Sequence, residues 1–155
     1  MTTLNYDLQK DFDNAYDAIK WLQDCDYKAA VWCALAIVKT LQGYSPNVQD
    51  YLNRVTANVE RYVRGEVAAF DKEEEVEDDV DNKTHYAIYA AWYLENELTN
   101  ERHEDSYKML EPIAMANMAV VKNNVSNKMY QQSRKQIYQD WLPVIAEAMT
   151  RYPAS

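Results

Sequence analysis

Residues 27–42 read YKAAVWCALAIVKTLQ, and this stretch decides the fold. Apolar side chains fill every position from Ala29 to Val38, so a helix formed here is hydrophobic around most of its circumference. A helix of that kind is stable only when other helices surround it. The apolar run is about half the length that a membrane-spanning helix needs. The stretch therefore predicts the central helix of a bundle, with Gly43 as its C-terminal stop.

Helical spacing recurs on both sides of this stretch. Before it, Asp11 is a predicted N-cap, and the apolar residues that follow have the i, i+3, i+4, i+7 spacing of one helix face. The residues of that face are Phe12, Ala15, Tyr16, Ile19 and Leu22. After it, Ser45-Pro46 is typical of a helix start, and Gly65 is a predicted helix end, with continuation of the helix to Phe70 as the alternative.

The second half of the chain contains further helical segments, at about 82–98, 106–122, 126–141 and 144–152. Pro143 separates the last two because proline interrupts the helical hydrogen-bond pattern. Two glycines and four prolines are too few for the many tight turns of a β sandwich or barrel. With only two glycines, the chain also cannot form a glycine-rich phosphate-binding loop. The prediction is a single all-α domain, 1–155, built as a compact bundle or short array of six to seven helices.

The sharpest local feature is an acidic run at residues 71–81, which is predicted to be a loop or a helix end. It holds eight acids and one base, and so carries −7 of the chain's net charge of −9. A concentrated negative field attracts a cationic partner and raises its association rate. A solvated loop between helices is the other interpretation of the same run. The acids are Asp71, Glu73, Glu74, Glu75, Glu77, Asp78, Asp79 and Asp81.

Thirteen tyrosines are the second unusual feature, because a core of this size cannot enclose all of them. Tyr86, Tyr89 and Tyr93 share one helix face directly after the acidic run, and Trp92 lies beside them. Aromatic residues are enriched at the centres of protein interfaces. We therefore predict that these four residues and the eight acids bind a protein partner. The alternative is that the rings line grooves between helices.

Residues that could carry chemistry are sparse. Cys25, Cys33, His85 and His103 have no partners at metal-ligand spacing, and no nucleophile elbow is present. Both cysteines are predicted to be small core residues in a reducing compartment. The prediction is a protein without catalytic residues, metal or cofactor, and not an enzyme. A Cys–His enzyme stays open as a lesser alternative, which a polar pocket around those four residues favours.

Three stretches carry a resemblance to a known group of proteins: residues 29–34, the helix end at 62–66 and the aromatic stretch 87–94. Together they resemble small all-helical bacterial proteins from toxin-delivery gene clusters, which are predicted immunity proteins or are uncharacterised. The resemblance covers roughly residues 26–122. It implies a protein that binds its partner stoichiometrically and has no catalytic residues.

The leading hypothesis is a non-enzymatic acidic helical binding protein that neutralises or inhibits a basic protein. Such a partner is a toxin, a nuclease or another nucleic-acid enzyme, and the chain acts as an immunity protein or antitoxin does. The negative charge opposes direct binding to nucleic acid or to an anionic membrane. The first residues lack the basic and apolar regions of a secretory signal, so a cytoplasmic location is expected. The sequence does not fix the oligomeric state.

Two further hypotheses use the same features differently. The chain could be a phage or plasmid protein that mimics DNA and inhibits a nuclease or a restriction or defence enzyme. Carboxylates spaced along two or more helices of the structure would favour the DNA-mimic hypothesis. It could instead be an adaptor or structural subunit, which a large exposed apolar patch favours.

Overall fold

The protein is described by a computed structural model that covers residues 7–67, 81–99, 108–121 and 126–153. These residues form eight helices and no β-strand. The first helix is a single turn, and the other seven have at least eight residues each. This confirms an all-α fold of six to seven packed helices. The helices are α1 (Leu8–Asp11), α2 (Ala15–Cys25), α3 (Tyr27–Lys39), α4 (Pro46–Val63), α5 (Asn82–Thr99), α6 (Leu110–Val120), α7 (Asn127–Asp140) and α8 (Leu142–Met149).

Helix α3 lies at the centre of the bundle, as its sequence predicts. It contacts α2, α4, α5, α6 and α8, and nine of its thirteen residues are buried. Asp26 begins the helix by accepting a hydrogen bond from the Ala29 backbone N–H at 3.2 Å. The Tyr152 hydroxyl donates to the same carboxylate at 3.3 Å, so the cap also ties the C-terminal segment to the centre.

The end of α3 differs from the prediction. The helix stops at Lys39 and the chain turns at Thr40, whose hydroxyl donates to the Ile37 carbonyl at 2.6 Å. Gly43 lies beyond this turn, in the connection to α4, where its φ of 88° is one that glycine readily adopts. The last turn is closed by i−3 backbone bonds, from the Thr40 N–H to the Ile37 carbonyl and from the Leu41 N–H to the Val38 carbonyl, so the helix ends before Gly43.

Helix α4 follows the prediction at both ends. It begins at Pro46, and Gly65, with a φ of 75°, follows its C-cap. The Gly65 N–H donates to the Tyr62 carbonyl and the Glu66 N–H to the Arg61 carbonyl, both at 3.0 Å. These two bonds form a Schellman motif, which satisfies carbonyls that the helix itself leaves without donors.

Helices α5 and α6 form the most extensive helix pair in the described structure. Small buried residues on α5, including Ala87, Ala90 and Ala91, let the two backbones approach closely. Helix α6 begins at Leu110, later than the prediction of 106, because Lys108 has a φ of 52° and this left-handed conformation cannot be part of a right-handed helix. Pro112 lies in the first turn, as predicted.

The start of α2 also differs from the prediction. Its N-cap is Asn14, whose side-chain oxygen accepts from the Asp17 N–H at 2.9 Å. Asp11, the predicted cap, is instead the last residue of α1, and its carboxylate accepts from the Asp7 N–H at 2.8 Å. The chain between the two helices holds Phe12 half-buried against the core.

The C-terminal helices close the bundle. Helix α7 has no buried residue, and a contact with α6 helps to hold it, because the buried Asn117 amide donates to the Arg134 carbonyl at 3.0 Å. Pro143 does end the preceding helix, but it lies inside the first turn of α8, which begins two residues earlier than predicted. Among all these described helices, none is long and apolar enough to cross a lipid bilayer.

Candidate protein-binding surface

Of the acidic run at residues 71–81, the described structure includes the last residue, Asp81. Asp81 is exposed immediately before α5, and its carboxylate accepts a hydrogen bond from the Thr84 N–H at 2.8 Å. Hydrogen bonds from Thr84 hold the pKa of Asp81 below its usual range, with a smaller contribution from the charges of His85 and Lys83. A carboxylate therefore stands ionised at the N-terminus of α5, where the helix dipole favours negative charge. The other seven predicted acids, Asp71, Glu73, Glu74, Glu75, Glu77, Asp78 and Asp79, lie outside the described residues.

Helix α5 has two distinct faces. One face is sealed in the core and consists mainly of alanine and leucine, including Ala87, Ala90, Ala91 and Leu94. The remaining surface carries the aromatic residues predicted from sequence, which we call the α5 aromatic face: Tyr86, Tyr89, Trp92 and Tyr93. Tyr89 is 41% exposed, and the other three are half-buried. Tyr86 packs against the core, so it contributes to stability as well as to the surface.

Ring contacts hold this face in shape. The Trp92 and Tyr93 rings meet edge-on, with centroids 5.0 Å apart. The Tyr89 ring lies 5.9 Å from the His85 ring one turn earlier. Aromatic side chains that are already ordered lose little entropy when a partner covers them. The structure thus brings the four predicted aromatic residues together on one helix, beginning next to Asp81.

A second acidic surface, which the sequence analysis did not single out, lies on α1 and α2. This part of the chain holds exposed aspartates and a tilted pair of rings, Phe12 and Trp21, whose centroids are 5.4 Å apart. Trp21 is 36% exposed. Lys10 and Lys20 also lie on this surface and dilute its charge. The aspartates are Asp7, Asp11, Asp13, Asp17 and Asp24. Their irregular spacing over two short helices hides them from a search for charge runs.

Several cations contact aromatic rings or carboxylates within the described part of the chain. Arg64 lies 5.3 Å from the centre of the Trp32 ring, and Lys28 lies 5.9 Å from that of Tyr62. Arg54 forms an ion pair with Asp50, and Arg151 forms one with Glu147. The ion pairs balance Asp50 and Glu147 locally, whereas Arg64 and Lys28 keep their charge over the rings.

The cysteines divide between core and surface. Cys33 is buried in the core, as predicted, and burial raises the pKa of its thiol, which keeps it protonated at neutral pH. The prediction that Cys25 is also a core residue is wrong, because α2 ends there and its side chain is exposed at the corner leading to Asp26. His85 is half-buried on α5, and His103 lies outside the described residues. Within the described ranges, no three His, Cys, Asp or Glu side chains form a group that could hold a metal ion.

Comparison of the chain with models of protein families, with curated protein sequences and with solved structures gave no match.

Proposed function

We propose that this protein is a non-enzymatic acidic helical protein that binds and neutralises a basic protein partner. The observation that supports this most is the α5 aromatic face, which includes the exposed Tyr89 and begins beside the ionised Asp81 at the end of the acidic run. The partner class is a toxin, a nuclease or another enzyme that acts on nucleic acid. Such enzymes carry positive surfaces that match concentrated carboxylates.

The acidic run and the α5 aromatic face contribute to binding in different ways. Long-range attraction from the acidic run speeds the encounter, although exposed charge pairs add little to the final affinity. The α5 aromatic face supplies anchors, because Tyr and Trp bury a large area and have few rotatable bonds. Removal of charge should therefore slow association, and removal of an aromatic ring should speed dissociation.

The test begins with capture of partners from the cell extract of the source organism, at low and at high salt, followed by purification of the captured protein. Binding to that purified protein is then measured kinetically. With Glu73→Gln, Glu75→Gln and Glu77→Gln combined, we expect slower association and a weaker dependence on salt. With Tyr89→Ala, we expect at least about a fivefold faster dissociation, which corresponds to about 1 kcal/mol.

A charge-matched control separates this surface from general electrostatics. The combination Asp50→Asn, Asp140→Asn and Glu147→Gln removes the same number of charges from exposed positions on α4, α7 and α8, outside both the acidic run and the aspartates of α1 and α2. If the control slows association as much as the acidic-run variant does, the net charge alone acts and the proposed surface is wrong. Capture of acidic proteins only, or equal binding by all variants, would also contradict the proposal.

A second candidate function is a DNA mimic, which the exposed aspartates on α1 and α2 favour. Their carboxylates extend over two consecutive helices, as a copy of a phosphate backbone requires. If this function is correct, duplex DNA competes with the protein for its partner, and Asp13→Asn with Asp24→Asn weakens binding more than changes in the acidic run do. A partner that binds the protein and duplex DNA simultaneously would eliminate this candidate.

A further inference from the structure

A cleft opens where α3, α4 and α8 meet, on a part of the surface that the proposed function does not use. Its volume is about 440 Å³, within the range of small-molecule binding sites. Its floor is apolar, with Trp32, Leu35, Ala36, Val144 and Ala148 among its residues. Its rim carries Lys39, Glu60, Arg64, Glu147 and Arg151.

The floor is rigid because Trp32 is fixed from two sides. Its indole N–H donates to the Ala148 carbonyl at 2.8 Å, which joins α3 to α8 across the base of the cleft. The Arg64 guanidinium lies over its ring, 5.3 Å from the centroid. A floor that is already ordered spares a ligand part of the entropy cost of binding.

The rim has more positive than negative charge, although the protein as a whole carries a net charge of −9. Two cations share the single Glu60 carboxylate: the Lys39 ammonium lies 2.5 Å from one oxygen, and Arg64 Nε lies 3.7 Å from the other. At the opposite end of the cleft, Arg151 is paired with Glu147 on the same helix. Among the described residues that line the cleft, one positive charge therefore remains without a balancing carboxylate beside Glu60, and both cations there have further N–H donors.

We propose that this cleft binds a small organic anion that has one carboxylate or sulfonate group and an apolar, flat body. The anionic group binds between Lys39 and Arg64, and the body lies on the floor formed by Trp32, Ala36 and Val144. The floor runs along α3 from Trp32 to Lys39, about 11 Å at the helical rise. That length and the cleft's volume suit a ligand with one or two fused rings.

The chemistry of the rim selects for this class. A dianion would meet Glu60 and Glu147 as well as the cations, so a second negative charge is disfavoured. An uncharged apolar molecule would leave the surplus positive charge partly desolvated and without a partner. Arginine is suited to the anionic group because its planar guanidinium presents several donors in one plane.

The test uses two fluorescent probes of nearly the same shape. Anilinonaphthalene sulfonate carries one negative charge, and phenylnaphthylamine is its uncharged counterpart. We expect one saturable site for the sulfonate and at least about tenfold weaker binding of the uncharged probe, the effect of a charge-assisted hydrogen bond. In a titration followed by NMR, the Trp32 indole N–H signal should be among those that move most.

Matched substitutions on α4 locate the site. Arg64→Gln should weaken sulfonate binding about tenfold, whereas Arg61→Gln removes the same charge from the same helix outside the cleft and should change it less than about twofold. Lys39→Gln provides a second rim variant in which the contact between Arg64 and Trp32 is retained. Ala36→Phe fills the floor and should abolish binding, while circular dichroism checks that each variant remains folded.

Three results would overturn the inference. The first is equal affinity for the charged and uncharged probes, which would show general apolar adsorption. The second is equal weakening by Arg64→Gln and Arg61→Gln, which would show attraction by overall charge. The third is unchanged binding in folded Ala36→Phe, or NMR shifts confined to residues away from Trp32, which would place the probe elsewhere. Because the α5 aromatic face is unaltered in these variants, their outcome is independent of the proposed partner binding.

Discussion

Helices α3 and α5 are both rich in apolar residues, yet they use them in opposite ways. In α3 the large side chains, such as Trp32, Leu35 and Ile37, point into a core that surrounds the helix. In α5 three of the six buried residues are alanines, and the large aromatic rings lie at or near the surface. Where small residues fill the interior side of a helix, its aromatic residues are available to contact another molecule. The total aromatic content of a segment therefore does not reveal where the core lies.

The largest expected effect tests the interior role of α3. Ile37→Ala removes a fully buried side chain from the centre of the bundle and should lower the free energy of unfolding by about 2–5 kcal/mol. Urea denaturation followed by circular dichroism measures the change. A loss below about 1 kcal/mol would mean that α3 is not enclosed as described, and the contrast with α5 would fail.

A smaller effect is expected at the hydrogen bond that joins Trp32 of α3 to α8. Trp32→Phe keeps most of the apolar volume but removes the hydrogen bond to the Ala148 carbonyl. The loss should be about 1–2 kcal/mol, because this carbonyl also accepts from the Arg151 N–H at 3.0 Å and keeps that donor. Trp141→Phe is the control, because it also replaces a buried indole ring with a phenyl ring. If thermal unfolding shows the same loss of stability in both variants, the loss of the indole and not the hydrogen bond of Trp32 is responsible.

A third prediction concerns the charge at the start of α5. The pKa of Asp81 is lower in the folded state than the ordinary 3.8, so its charge stabilises the fold above that pH, and this contribution disappears as the pH falls through the folded pKa. Asp81→Asn keeps the capping oxygen but not the charge. The parent should therefore have a slightly higher Tm than Asp81→Asn at neutral pH, and the two should converge in acid. Tm differences that persist below the folded pKa would rule out this explanation.

The smallest effect on stability is expected at the α5 aromatic face. Tyr89→Ala should change the free energy of unfolding by no more than about 0.5 kcal/mol, since the ring is largely outside the core. Tyr86→Ala should cost more, because Tyr86 packs against buried residues. Urea denaturation of this pair measures the difference. If Tyr89→Ala is the more destabilising of the two, the division of α5 into an inner and an outer face is wrong.

Sequence patterns predicted the helices well where strong local signals agreed with the tertiary structure. Ser45-Pro46 and Gly65 predicted both ends of α4, and the apolar run 29–38 predicted the central position of α3. Other ends depended on contacts that a pattern does not show. Asp11 and Asn14 are both good N-caps in isolation, and the hydrogen bond from the Asp17 N–H to Asn14 shows that Asn14 begins α2, whereas Asp11 accepts from the Asp7 N–H within α1.

The candidate surfaces were predicted less completely, for a related reason. Spacing alone placed Tyr86, Tyr89 and Tyr93 on one face of a helix, because i, i+3 and i+7 positions always share a face. It could not show that Tyr89 is more exposed than Tyr86, which depends on the alanines of α5 and their partners on α6. Nor could it reveal the cleft beside Trp32, whose lining comes from three helices that are distant in sequence.

The absence of buried residues in α7 has a consequence for the way the molecule opens. Nine of the thirteen residues of α3 are buried, so exchange of their amides with solvent deuterium should require extensive unfolding, whereas α7 has no buried residue and can detach with less loss of apolar contact. The main interactions to be released are the Asn117 bond to the Arg134 carbonyl and the packing of Ile137 and Tyr138. Local stability therefore differs between helices, and α7 should open at a much lower free-energy cost than the central helix α3.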